Sequence, residues 1–76
     1  MKITVSIFLT LSGGERIRSR TLSVREGATV QEVMDLFQVS HDLVWLYVAN
    51  HNTVLQPGDS LKEGDHLMVF PPMEGG

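Results

Sequence analysis

Cysteine is absent from the 76 residues. That excludes a disulfide framework, a thiolate zinc or iron–sulfur site, and any thiol nucleophile supplied by this chain. It also fits a cytoplasmic location, which is the expectation. Positive charge is scarce: six Lys and Arg stand against nine Asp and Glu, a formal charge of −3. Such a balance disfavours attraction to nucleic-acid phosphate, so no nucleic-acid partner is expected. Long apolar runs are missing too. The longest, Leu43 to Ala49, is far short of the ~20 residues that span a bilayer. The N-terminal segment lacks the basic region and apolar core of a signal peptide. A soluble protein with no membrane partner is expected. At this length about 60% of the unfolded surface can be buried, enough for one small domain and not for two.

What is present is mostly strand-like. Ile3, Val5, Ile7, Leu9 and Leu11 alternate with Lys2, Thr4, Ser6, Phe8 and Thr10, the period of a strand with one buried face. Phe8 is the misfit, pointing away from the apolar set. Ser12-Gly13-Gly14-Glu15 reads as a tight hairpin centred on the glycine pair, and a second strand is expected from about Arg16 to Val24. In that strand Arg16, Arg18 and Arg20 share parity with the core candidates Leu22 and Val24. Either a bulge intervenes or the arginines lie beyond the edge of the core.

Thr29-Val30-Gln31-Glu32 has capping-box spacing, and Val30, Val33, Met34 and Phe37 fall on one helical stripe. The spacing predicts a helix from Val30 to about Gln38. The β-branched and aromatic run Leu43 to Val48 predicts a strand near the middle of the sheet. Turn residues from Thr53 to Asp65 predict short edge structure, and Leu67 to Phe70 the last strand. Pro71 and Pro72 end it, since proline cannot donate to a ladder. The order implies an α+β domain, with a mixed sheet of four to five strands and one main helix on one face.

The carboxyl-terminal stretch carries the most chemistry. Six residues, Pro71-Pro72-Met73-Glu74-Gly75-Gly76, follow the last strand. Glycines lack a Cβ and enter channels too narrow for other residues. The prolines stiffen the root, and six extended residues reach about 20 Å into a partner's site. The reactive group is then the carboxylate of Gly76, which must be activated, most simply as an acyl-adenylate, before sulfur or nitrogen attacks it. Terminal small residues that merely fray are the alternative.

These residues bring the sequence to a family. From Val48-Ala49-Asn50 through Leu61-Lys62-Glu63-Gly64-Asp65 to Phe70-Pro71-Pro72-Met73-Glu74-Gly75-Gly76, the chain resembles the ubiquitin-like β-grasp sulfur carriers. Those are the small subunit of molybdopterin synthase and its relative in thiamin biosynthesis. The double proline looks more like the molybdopterin type. The resemblance implies a β-grasp domain over residues 1–70 and an extended tail over 71–76. It implies an E1-like enzyme that uses ATP and Mg²⁺ to adenylate Gly76, and a sulfur donor such as a cysteine desulfurase system that converts it to a thiocarboxylate. A sulfur-accepting enzyme follows, such as the large subunit of molybdopterin synthase holding a pterin precursor. ATP and Mg²⁺ then belong to the activating partner, and no cofactor is expected on this chain. The resemblance also places partner-contacting aromatics at Phe8 and Phe70.

Phe8, Met68 and Phe70 all oppose the apolar parity of their strands. If the first and last strands are neighbours, the three form an exposed patch at the root of the tail, unless a loop or the helix covers them. His41, His51 and His66 have no metal-ligand spacing, so no metal site is expected and surface histidines are the default. Asp59, Glu63 and Asp65 fit turns in which carboxylates bond backbone amides. With no catalytic constellation, the chain reads as a cosubstrate and not an autonomous enzyme. A ubiquitin-like modifier joined through Gly76 to lysines, and a plain interaction module that ignores its terminus, are the competing readings.

Overall fold

The structure, a computed structural model, describes residues 1–11, 14–39, 42, 44 and 46–71. Its elements are β1 (Lys2–Leu11), β2 (Gly14–Ser23), α1 (Val30–Phe37), β3 (Leu46–Ala49), β4 (Thr53–Leu55) and β5 (His66–Phe70). They form one five-stranded sheet of order β2-β1-β5-β3-β4. Only β1 and β5 run parallel; the other neighbours are antiparallel.

Alternation in the strands decides what is buried. Ile3, Val5 and Ile7 of β1, Leu67 and Val69 of β5, and Tyr47 of β3 join Val30, Val33 and Met34 of α1 in one core. All seven of the largest fully buried side chains lie on β1, α1 and β5. The expectation of a helix against one face of a mixed sheet therefore holds. Burial pushes the Tyr47 hydroxyl up from its ordinary pKa.

The capping box forms as the spacing predicted. Thr29 Oγ1 accepts the Glu32 amide at 3.3 Å, and Thr29 N donates to Glu32 Oε2 at 2.7 Å. Arg25 adds Nε and Nη2 to the two Glu32 oxygens, each at 2.8 Å. The Thr29 amide first, then the Arg25 hydrogen bonds, hold the Glu32 carboxyl below its ordinary pKa. The helix stops one residue earlier than expected. Gln38 takes the left-handed conformation, φ 58°, and its N–H turns back to Asp35 O at 3.1 Å.

Leu61-Lys62-Glu63-Gly64-Asp65 fastens β5 to β1. Leu61 is buried, Gly64 has φ +81°, and its amide reaches Lys2 O at 2.7 Å. The carboxylates do what the turns implied: Asp65 accepts Lys62 N, Asp59 accepts Gln56 N and Glu63 accepts Lys2 N.

Two expectations need correcting. The strand expected over Leu43 to Val48 begins at Leu46 and runs to Ala49; Leu43 and Trp45 lie outside the described residues, and Val44 packs on the core without joining the strand. Leu46 pairs with Phe70, the last residue of β5 before Pro71. β3 lies inside the sheet beside the central β5, near the middle as expected. At the hairpin, Leu11 pairs with Gly14. The connecting residues are therefore 12 and 13, outside the described ones, and Gly14 belongs to β2.

The arginine conflict resolves without a bulge. The β1–β2 register is unbroken, setting Arg20 opposite Val5 and Arg18 opposite Ile7, yet both arginines are exposed. The core ends at β1 along this stretch. Only Leu22 and, past β2, Val24 pack partly against it.

Candidate partner-docking face at the root of the tail

The sheet face away from α1 carries the three residues singled out above. Phe8, Met68 and Phe70 are each partly buried, and the rings of Phe8 and Phe70 stack with centroids 4.7 Å apart and planes 8° from parallel. This follows from the register. Parallel pairing of Ser6 with Met68 and of Ile7 with Val69 brings Phe8 and Phe70 level on adjacent strands, where cross-strand aromatics meet. The helix covers the opposite face and does not reach them.

Pairing also recruits residues that the sequence alone did not mark. Leu46 stands opposite Phe70, Val48 opposite Met68, Val54 opposite Val48, and Ile17 opposite Phe8. Ile17 and Val54 are more than half exposed. The result is an apolar band across all five strands. Ile17 was detectable, as an apolar residue alternating out of the arginine series. Leu46 and Val48 were not, because they sit in a run with no alternation.

Further from the tail the same face turns polar. Ser6 Oγ lies 2.9 Å from Ser19 Oγ and 2.7 Å from His66 Nε2, and Thr4 Oγ1 lies 3.2 Å from Thr21 Oγ1. His66 is thus partly buried and hydrogen-bonded, not the solvated histidine expected: the register sets it opposite Thr4, and its ring reaches diagonally to the Ser6 hydroxyl. His51 meets it edge-on, centroids 5.5 Å apart. His41 lies outside the described residues.

β1 and β5 run parallel, so the apolar half of the face lies where β5 ends. Pro71 follows directly and is partly buried. Pro72, Met73, Glu74, Gly75 and Gly76, on which the adenylation and insertion expectations rest, lie outside the described residues. Among the described residues no helix is long and apolar enough to cross a membrane.

Comparison with known proteins agrees with this architecture. No curated protein sequence gives a significant match. The solved structure "Crystal structure of SAMP1 from Haloferax volcanii" is similar over 100% of both chains, with a TM-score of 0.71 at 20% identity, a likeness of fold. A model of the ThiS family matches residues 5–76. With nearly the whole sequence inside that match and the ubiquitin-like β-grasp observed, the chain belongs to the ThiS family of ubiquitin-like sulfur carriers.

Proposed function

We propose that the chain carries sulfur as a thiocarboxylate on Gly76. A carboxylate oxygen of Gly76 attacks the α-phosphorus of ATP on an E1-like enzyme, pyrophosphate leaves, and an acyl-adenylate forms. The terminal sulfur of a donor persulfide, such as a cysteine desulfurase system supplies, then attacks the acyl carbon and AMP leaves; a second thiol cleaves the resulting acyl disulfide, freeing the thiocarboxylate and leaving a disulfide on the donor side. The chain is the cosubstrate; ATP and Mg²⁺ are held by the activating enzyme. The observation that carries this reading is the stacked Phe8–Phe70 pair where the central strand stops at Pro71. It gives partners a fixed apolar grip at the root of a diglycine tail.

For the acceptor we propose a pterin precursor held by the large subunit of molybdopterin synthase, a reading supported by the Pro71-Pro72 pair at the root of the tail. The second reading is sulfur supply to the thiamin pathway; the match to the ThiS family fits either acceptor.

The test is the intact mass of untagged protein from its own host, with the carboxyl-terminal peptide fragmented. Sulfur in place of one oxygen, localised to Gly76, is expected. Gly76 found only in amide linkage to lysines of other proteins overturns carriage in favour of a modifier. Transfer assays with each purified acceptor then separate the two pathways.

A further inference from the structure

The sheet has a second surface built for contact, on the side away from the tail's grip. β2 is an edge strand ten residues long, and among the described residues no strand pairs its outer side. Unpaired edges of this length are usually blunted by a bulge, a proline, brevity or charged side chains. This one has an unbroken register and no proline. Its far edge counterpart, β4, is three residues long.

Charge selects the occupant. Arg16, Arg18 and Arg20 hold half of the six basic residues of a chain whose net charge is −3. Arg18 and Arg20 are exposed on the helix side of β2, without an ion-pair or hydrogen-bond partner among the described residues. The other cation of this region is engaged: Arg25 is bonded to both oxygens of Glu32. Where β2 ends, an open cleft of about 310 Å³ lies between its last residues and α1, with Val24, Ala28, Val33 and Leu36 in its lining. Leu36 is 65% exposed.

We propose that β2 takes an extended acidic segment of a partner protein as a sixth strand. Backbone hydrogen bonds zip along the free edge, apolar side chains at one end of the segment enter the cleft, and carboxylates at the other end face Arg20 and Arg18. Running antiparallel to β2, the segment begins apolar and ends acidic. A second copy of this chain is disfavoured by the same charges, because antiparallel pairing of two β2 strands with both helices on one face sets arginine against arginine. The arginines thus exclude self-association while leaving the edge open to an acidic strand.

The probe is the synthetic peptide Val-Ile-Val-Glu-Thr-Glu-Thr-Glu, titrated into the ¹⁵N-labelled full chain and followed by amide shifts and hydrogen exchange. Saturable shifts along residues 16–24 and α1, with new protection of outward β2 amides, are expected. Phe8 and Phe70 should stay still. Arg18→Glu with Arg20→Glu should weaken binding about tenfold, as should raising salt to about 0.5 M. Should the reversed-charge pair fold poorly, Arg18→Gln with Arg20→Gln serves in its place. The proposal is overturned by absence of saturable shifts, by shifts centred on Phe8 and Phe70, or by equal binding of a lysine-for-glutamate peptide. It is equally overturned if an oligothymidylate gives the same β2 response, which would mark a nucleic-acid surface. The mass of Gly76 plays no part in these outcomes, so sulfur carriage stands or falls separately.

Discussion

Phe8 and Phe70 stack face to face at 4.7 Å although they are 62 positions apart in sequence, on two parallel strands. Both rings lie outside the core, so their packing serves the surface first. Phe8→Ala or Phe70→Ala should therefore weaken binding to the activating enzyme by about tenfold or more, the scale of a central aromatic anchor. Stability should fall by only about 1 kcal/mol. Calorimetric titration against that enzyme, with a parallel thermal melt, separates the two effects.

Removal of Gly76 should leave the fold intact and abolish sulfur transfer. β5 ends at Phe70, and among the described residues no core residue lies beyond it. An unchanged melting curve with no thiocarboxylate formed is the expected pair of results. Full transfer by the truncated chain would end the carrier reading.

Met34 and Leu36 sit two residues apart on α1 with opposite environments, the first fully buried and the second 65% exposed. Met34→Ala should cost about 2–5 kcal/mol through lost burial and the cavity left behind. That is a large fraction of the stability of so small a domain. Leu36→Ala should stay within about 0.5 kcal/mol. Denaturant titration of both variants checks the contrast.

The capping box gives a pH signature. Because folding lowers the Glu32 pKa, its contribution is present above the ordinary carboxylate value and is lost as pH falls through the folded one. Glu32→Gln should lower the melting temperature at neutral pH, and the gap from the unaltered protein should close as the pH is taken below the ordinary carboxylate range. Thr29→Ala removes the reciprocal half and should cost about 1 kcal/mol. Melts across that pH range distinguish the charged contribution from the neutral one.

Elements whose signal is local were legible in the sequence. Thr29 and Glu32 announce the helix start, the parity of Ile3, Val5 and Ile7 names the buried face, and Pro71 marks the end of the last strand. What escaped is set at a distance. The pairing of β3, Leu46 to Phe70 and Val48 to Met68, depends on the distant β5, and the Leu43 to Val48 run offers no alternation to reveal it. The partner of Phe8 depends on the loop: a turn centred on Gly13 and Gly14 would have placed Ser19 opposite it, whereas pairing of Leu11 with Gly14 places Ile17 there. The patch was therefore foreseen at Phe8, Met68 and Phe70 but not in its full width. Exposure of Arg18 and Arg20 likewise depends on how far α1 extends across the sheet.

The central place of β5 has a mechanical meaning. A partner that draws the tail into its own site pulls on a strand flanked by ladders on both sides, to β1 and to β3. Such a load runs along the hydrogen-bonded rows and must shear them together. On an edge strand the same traction would be borne by one ladder instead of two. The carrier can thus be gripped and tugged by its end, repeatedly and by different enzymes, with the sheet acting as the anchor plate.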